Sequence, residues 1–89
     1  MAVEPIKIYA GDRKMQDVAF TLRFCNEKKI PYEYIDISDD QETLMWTIRQ
    51  GATEAPFVVL PNGKKFCGFK PDLIKAWATE TQKEIMSNW

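Results

Sequence analysis

Two thiols, Cys25 and Cys67, are the side chains of this 89-residue chain best suited to nucleophilic or redox chemistry, and no histidine accompanies them. Without an imidazole there is no base that titrates near neutrality and no His-based zinc set, which excludes serine triads and such metal sites together. The two cysteines stand too far apart in sequence for a CxxC pair, so any thiol chemistry is monothiol or depends on their meeting in space. Cys25 falls on one helical stripe with Met15, Val18 and Leu22, the setting of an inert buried thiol. Cys67 lies in the stretch KKFCGFKPDLIKAW, with the cation of Lys70 close enough along the chain to favour thiolate.

The rest of the composition narrows the class of protein. At this length the chain is expected to form a single domain over residues 1–89, and its 45% apolar residues are enough for one small core. A net charge of −1 provides no basic field for a phosphate backbone, and no arginine-aromatic interleaving marks a groove for nucleic acid. No run of about 18 apolar residues is available to cross a membrane. The opening MAVEPIKIY has neither a basic region nor a long apolar stretch, so the expectation is a cytoplasmic protein without a cleaved signal.

The elements that must position the thiols follow from the apolar pattern. Ile6 to Tyr9 is β-favouring, with Pro5 at its entry, where a missing amide donor is tolerated. Met15, Val18, Ala19, Leu22 and Cys25 recur at helical spacing, with Asp12 as the expected cap and an end near Lys28 or Lys29, ahead of Pro31. Tyr32 to Ile37 reads as a second strand. Ser38 to Gln41 has the form of a capping box, opening a helix expected to bury Leu44, Met45 and Ile48 and to stop at Gly51. The run FVVL, punctuated by Pro61-Asn62-Gly63, predicts a hairpin to a short strand at Lys65 to Cys67. Pro71 and Asp72 then begin a last helix whose apolar face is Leu73, Ile74 and Trp77. The order β-α-β-α-β-β-α predicts an α/β fold with a mixed four-stranded sheet covered by three helices.

Two stretches resemble a known family. EAPFVVLPNGKKFCGFKPDLIKAW is similar to the carboxy-terminal half of glutaredoxin-like redoxins of the NrdH-redoxin type, within the thioredoxin-fold superfamily. There an Ala/Leu-Pro-Val-Val segment precedes a hairpin and Ser-Gly-Phe-Arg-Pro-Asp; here Ala55-Pro56-Phe57-Val58-Val59 precedes Cys67-Gly68-Phe69-Lys70-Pro71-Asp72. IKIYA, KKIPYEYIDIS and IRQGATEAP resemble the family's remaining elements, so the likeness spans nearly the whole chain. It also disposes of a second likeness, to the Cys-Gly-Phe-Ser motif of monothiol glutaredoxins. That motif lies before the first helix, whereas Cys67 follows the signature proline and takes the place of the family's serine.

The resemblance carries implications for the site. The family's CxxC belongs in YAGDRKMQDVAF, at the amino end of the first helix, where dipole and free amides stabilise thiolate. The corresponding pair is Met15 and Val18 counted back from Tyr32, or Lys14 and Asp17 counted forward from Tyr9; neither register has a thiol. The family's proline is cis and holds the preceding backbone open to an extended peptide or to glutathione, which implies a docking surface of Ala55, Pro56, Gly68, Phe69 and Lys70. The expectation is a redox-degenerate redoxin that binds a protein partner there without dithiol exchange. Ribonucleotide reductase and a thioredoxin-reductase-like enzyme are the partners the resemblance implies. The alternative is a monothiol disulfide oxidoreductase working through Cys67, with glutathione as the one small-molecule cofactor left open. Arg13, Lys14, Lys64, Lys65 and Lys70 would form a cationic rim. A viral source, and hence a host cytoplasm, agrees with so small a redoxin.

Overall fold

The structure is a computed structural model that describes the backbone of residues 4–87 and the side-chain surroundings of residues 4–80. Its elements run β1 (Ile6–Ala10), α1 (Gln16–Glu27), β2 (Tyr32–Asp36), α2 (Gln41–Arg49), β3 (Phe57–Val59), β4 (Lys65–Cys67) and α3 (Pro71–Ser87). The strands form one sheet in the order β2-β1-β3-β4. β1 and β2 are parallel, as a helical crossover requires, and β3 runs antiparallel to both β1 and β4. The mixed α/β sheet expected from the sequence is therefore present. No helix among the described residues is long and apolar enough to cross a membrane.

Successive strand residues point to opposite faces, and here the two faces differ in chemistry. Ile6, Ile8 and Ala10 of β1, Val58 of β3 and Phe66 of β4 share one face and are buried. Val18, Leu22 and Cys25 of α1 and Ile74 and Trp77 of α3 close over them as a single core. The other face carries Tyr9, Ile35, Phe57 and Cys67, with α2 as its cover. Trp46 leans from α2 onto that face, its ring centroid 5.3 Å from Tyr9 and 5.9 Å from Phe57. Aromatic rings at these separations attract one another edge to face, which pins one flank of α2.

Several local expectations are corrected. Met15, not Asp12, is the N-cap residue of α1, and no side chain caps the helix. Asp12 instead accepts the Lys14 amide at 2.8 Å in a turn before the helix. Met15 and Ala19 are exposed, and Thr21 takes an inward place on α1, its hydroxyl donating to the Asp17 carbonyl at 2.7 Å. That bond satisfies the hydroxyl within its own helix, so threonine can serve as a core residue.

The box at Ser38 does not form either. Strand β2 ends at Asp36, whose carboxylate accepts the Ser38 amide at 2.9 Å, and Asp40 caps α2 by accepting the Thr43 amide at 3.0 Å. Leu44, Met45 and Ile48 are exposed rather than buried, and Thr47 is the inward residue of α2, its hydroxyl bonded to the Leu44 carbonyl at 2.7 Å. Leu73 is exposed on α3 beside the buried Ile74 and Trp77.

Candidate functional site

The region to which the sequence assigns function lies at one end of the sheet. Cys67 closes β4 opposite Phe57, and the next residue, Gly68, donates its amide to the Pro56 carbonyl at 2.8 Å. This bond ties the β4–α3 connection to the loop before β3. The Ala55–Pro56 peptide bond is cis, and Pro56 is buried. Gly68 has a φ of +83°, a left-handed conformation that L side chains rarely adopt, so the backbone requires glycine here. Ala55, Pro56 and Gly68 are thus neighbours.

Cys67 is half-buried, with Thr53 Oγ1 at 3.5 Å from Sγ. The Thr53 hydroxyl first, and then the Thr53 backbone, hold this thiol below the ordinary cysteine range, while partial desolvation and the Glu54 charge oppose them. The stabilising groups are thus dipoles of the α2–β3 loop rather than the charge of Lys70. Cys25 is the opposite case: fully buried beneath α1, its thiol is pushed up to about 11 by desolvation alone. The two thiols lie on opposite faces of the sheet and share no disulfide.

The start of α1 holds the positions where a dithiol was looked for. Lys14 is exposed in the preceding turn, Met15 is the exposed N-cap residue, Asp17 is in the first turn, and Val18 is fully buried in the core. In neither register, Met15 with Val18 or Lys14 with Asp17, does this helix end carry a thiol. Phe69 turns toward α1, 5.6 Å from Phe20 and 6.4 Å from Phe24 between ring centroids, so it joins this element to the β4–α3 connection. Its ring is half-buried in that contact rather than lining an open groove.

The five expected rim cations do not share one environment. Arg13 sits over the Tyr34 ring at 4.2 Å, and Lys65 donates to Gln50 Oε1 at 2.7 Å. Lys70 is exposed at the entry to α3. No group of three or more His, Cys, Asp or Glu residues able to hold a metal occurs among the described residues. Sequence reasoning missed the partnership of Thr53 with Cys67, since the two are distant in sequence and meet only because β4 runs back beside β3. It also left Trp46 without a role; Trp89 lies outside the described residues.

With this geometry in hand, one solved structure is informative. The glutaredoxin-like protein NrdH-redoxin from Escherichia coli, reported for its thioredoxin-like activity profile, superposes with a TM-score of 0.75. The match covers 82% of this chain and 93% of that one at 23% sequence identity. The chain has a glutaredoxin-like thioredoxin fold. No protein-family model matches the sequence, and no curated protein does. The likeness of this glutaredoxin-like chain to NrdH-redoxin is one of fold, since identity this low carries no activity with it.

Proposed function

We propose that this glutaredoxin-like chain is a redox-degenerate redoxin, which keeps the docking surface of its fold and binds a protein partner without dithiol exchange. The observation that carries this reading is the start of α1, where none of Lys14, Met15, Asp17 and Val18 supplies a thiol. Thioether and isopropyl groups neither attack a disulfide nor form one. Two contacts beside this helix end support the reading: Gly68 donates to the Pro56 carbonyl, and Phe69 packs on α1. A partner segment would lie in extended form against Ala55, Lys70 and the backbone around Pro56 and Gly68, pairing with the backbone before Pro56, with Phe69 held on α1 at the edge of this surface. Ribonucleotide reductase and a thioredoxin-reductase-like enzyme are the partners to try first.

A second reading has its own support in Cys67. Its thiol is half-exposed and held below the ordinary range by Thr53. As thiolate it would attack one sulfur of a disulfide, forming a mixed disulfide and releasing the other sulfur as thiolate. A small-molecule thiol such as glutathione would then attack the mixed disulfide, releasing Cys67 and taking up the substrate's sulfur as a second mixed disulfide. Another such thiol would cleave that second disulfide, freeing the substrate thiol and leaving the small thiol as its own disulfide. The experiment that separates the readings is disulfide reduction by the purified protein, driven separately by glutathione and by thioredoxin reductase with NADPH, beside Cys67→Ser. The binding reading expects no turnover above the uncatalysed rate from either protein. Turnover that disappears in Cys67→Ser overturns it in favour of the monothiol enzyme.

A further inference from the structure

One flank of α2 is left half in solvent beside the groove that runs to Ala55, on the opposite face of the sheet from α1 and Phe69. Leu44, Met45 and Ile48 are 40%, 46% and 51% exposed and follow one another at helical spacing, so they form a single apolar stripe. The stripe borders an open groove of about 570 Å³, which Leu44 and Ile48 line together with Tyr9, Phe57, Ala52 and Ala55. A contiguous apolar surface on so small a protein marks an interaction site.

The charges around the stripe indicate the occupant. Asp39, Asp40 and Glu42 stand at the amino end of α2 and Arg49 at its carboxyl end, with Lys65 held against Gln50 just beyond. Arg49 Nε donates to the Met45 carbonyl at 3.5 Å, which keeps the guanidinium beside the stripe. A partner of one charge sign would be repelled at one end of this helix. A second copy turned end for end meets opposite charge at both ends, and the two helix dipoles then oppose each other favourably. The net charge of −1 leaves little overall repulsion between copies.

We propose that α2 is a self-association surface through which two copies pair antiparallel. Leu44 of each copy packs against Ile48 of the other, the two Met45 side chains lie near the twofold axis, and Glu42 comes within reach of the second copy's Arg49. This is an isologous interface, and a nine-residue helix makes it a small one, so the dimer is weak and reversible. The proposal goes beyond the docking reading above and does not depend on it.

Sedimentation of the full chain from micromolar to millimolar concentration provides the test. The expected result is a reversible dimer at the upper end, abolished by Ile48→Asp. Glu42→Arg and Arg49→Glu should each raise the dissociation constant about tenfold, and the double reversal should recover most of that loss. All three positions are exposed, and unchanged circular dichroism of each variant verifies its fold. A monomer throughout overturns the proposal, as does a dimer indifferent to these substitutions or a double reversal no better than the single ones. A monomer that binds added polylysine or polyglutamate, with the binding lost in Ile48→Asp, overturns it equally by assigning another occupant.

Discussion

On one face of the sheet, Ile6, Ile8, Ala10, Val58 and Phe66 meet two helices and leave almost no apolar surface in water. On the other, Tyr9, Ile35 and Phe57 meet α2, whose Leu44, Met45 and Ile48 remain half in solvent, and Cys67 meets Thr53 of the α2–β3 loop. Both faces are built from the same four strands, and each strand supplies both by alternation. The first face therefore supplies the stability, while the second supplies accessible groups: a thiol of lowered pKa, an open groove and an apolar stripe. A small domain has surplus enough for one dry core. What is left on the far side is available for contact with other molecules.

Removing a side chain from the dry face should break the protein hardest. Ile8→Ala deletes a fully buried side chain in the middle of β1 and is expected to cost about 2 to 5 kcal/mol, read from urea midpoints. A loss below about 1 kcal/mol would mean that this core can collapse around the gap.

The thiols sharpen the same comparison through pH. The unfolded Cys25 thiol titrates near 9.0 and the folded one near about 11, so folding stability should be full below pH 9.0 and fall as pH rises toward 11. Tyr34, whose hydroxyl burial likewise holds protonated, adds to that fall. Cys25→Ala should remove the thiol's share of the slope. Cys67 should behave oppositely, reacting with iodoacetamide in the native state with a midpoint below the ordinary 9.0. Thr53→Val should move that midpoint upward, and a midpoint left unmoved would show that the Thr53 hydroxyl does not set it.

Smaller effects belong to the α2 face. Trp46→Ala should cost about 1 to 2 kcal/mol by removing the indole tilted against Tyr9 and edge-on to Phe57, still less than Ile8→Ala. Ile48→Ala, measured at low micromolar concentration, should change stability by no more than about 0.5 kcal/mol. If it costs as much as the core substitution, α2 packs more deeply than its exposure indicates and the contrast between the faces fails.

The same contrast explains what the sequence revealed. Element order, the parallel first pair and the hairpin were legible because crossover length and the Pro61-Asn62-Gly63 turn restrict topology strongly. The dry face was legible in outline from Ile6, Ile8, Val18, Leu22 and Ile74. The α2 face was misread, because spacing shows that Leu44, Met45 and Ile48 share a side but not whether anything covers it. Thr21 and Thr47 were missed as inward residues because each satisfies its hydroxyl on a carbonyl of its own helix, which no hydropathy pattern registers. At the site, both the tie between Gly68 and Pro56 and the place of Thr53 beside Cys67 required the fold. At the start of α1 the structure adds that Met15 stands at the helix end and Val18 in the core, which spacing alone does not distinguish.

The measurement that tests the central claim most directly is to restore the missing thiols. If the docking surface persists and only the dithiol has been lost, Met15→Cys with Val18→Cys should reduce a disulfide substrate with thioredoxin reductase and NADPH or with glutathione, while the parent chain stays at the uncatalysed rate. Retained circular dichroism in the double variant verifies that Val18→Cys is tolerated in the core. Turnover by the parent, or a folded double variant that remains inert with both reductants, would contradict the account.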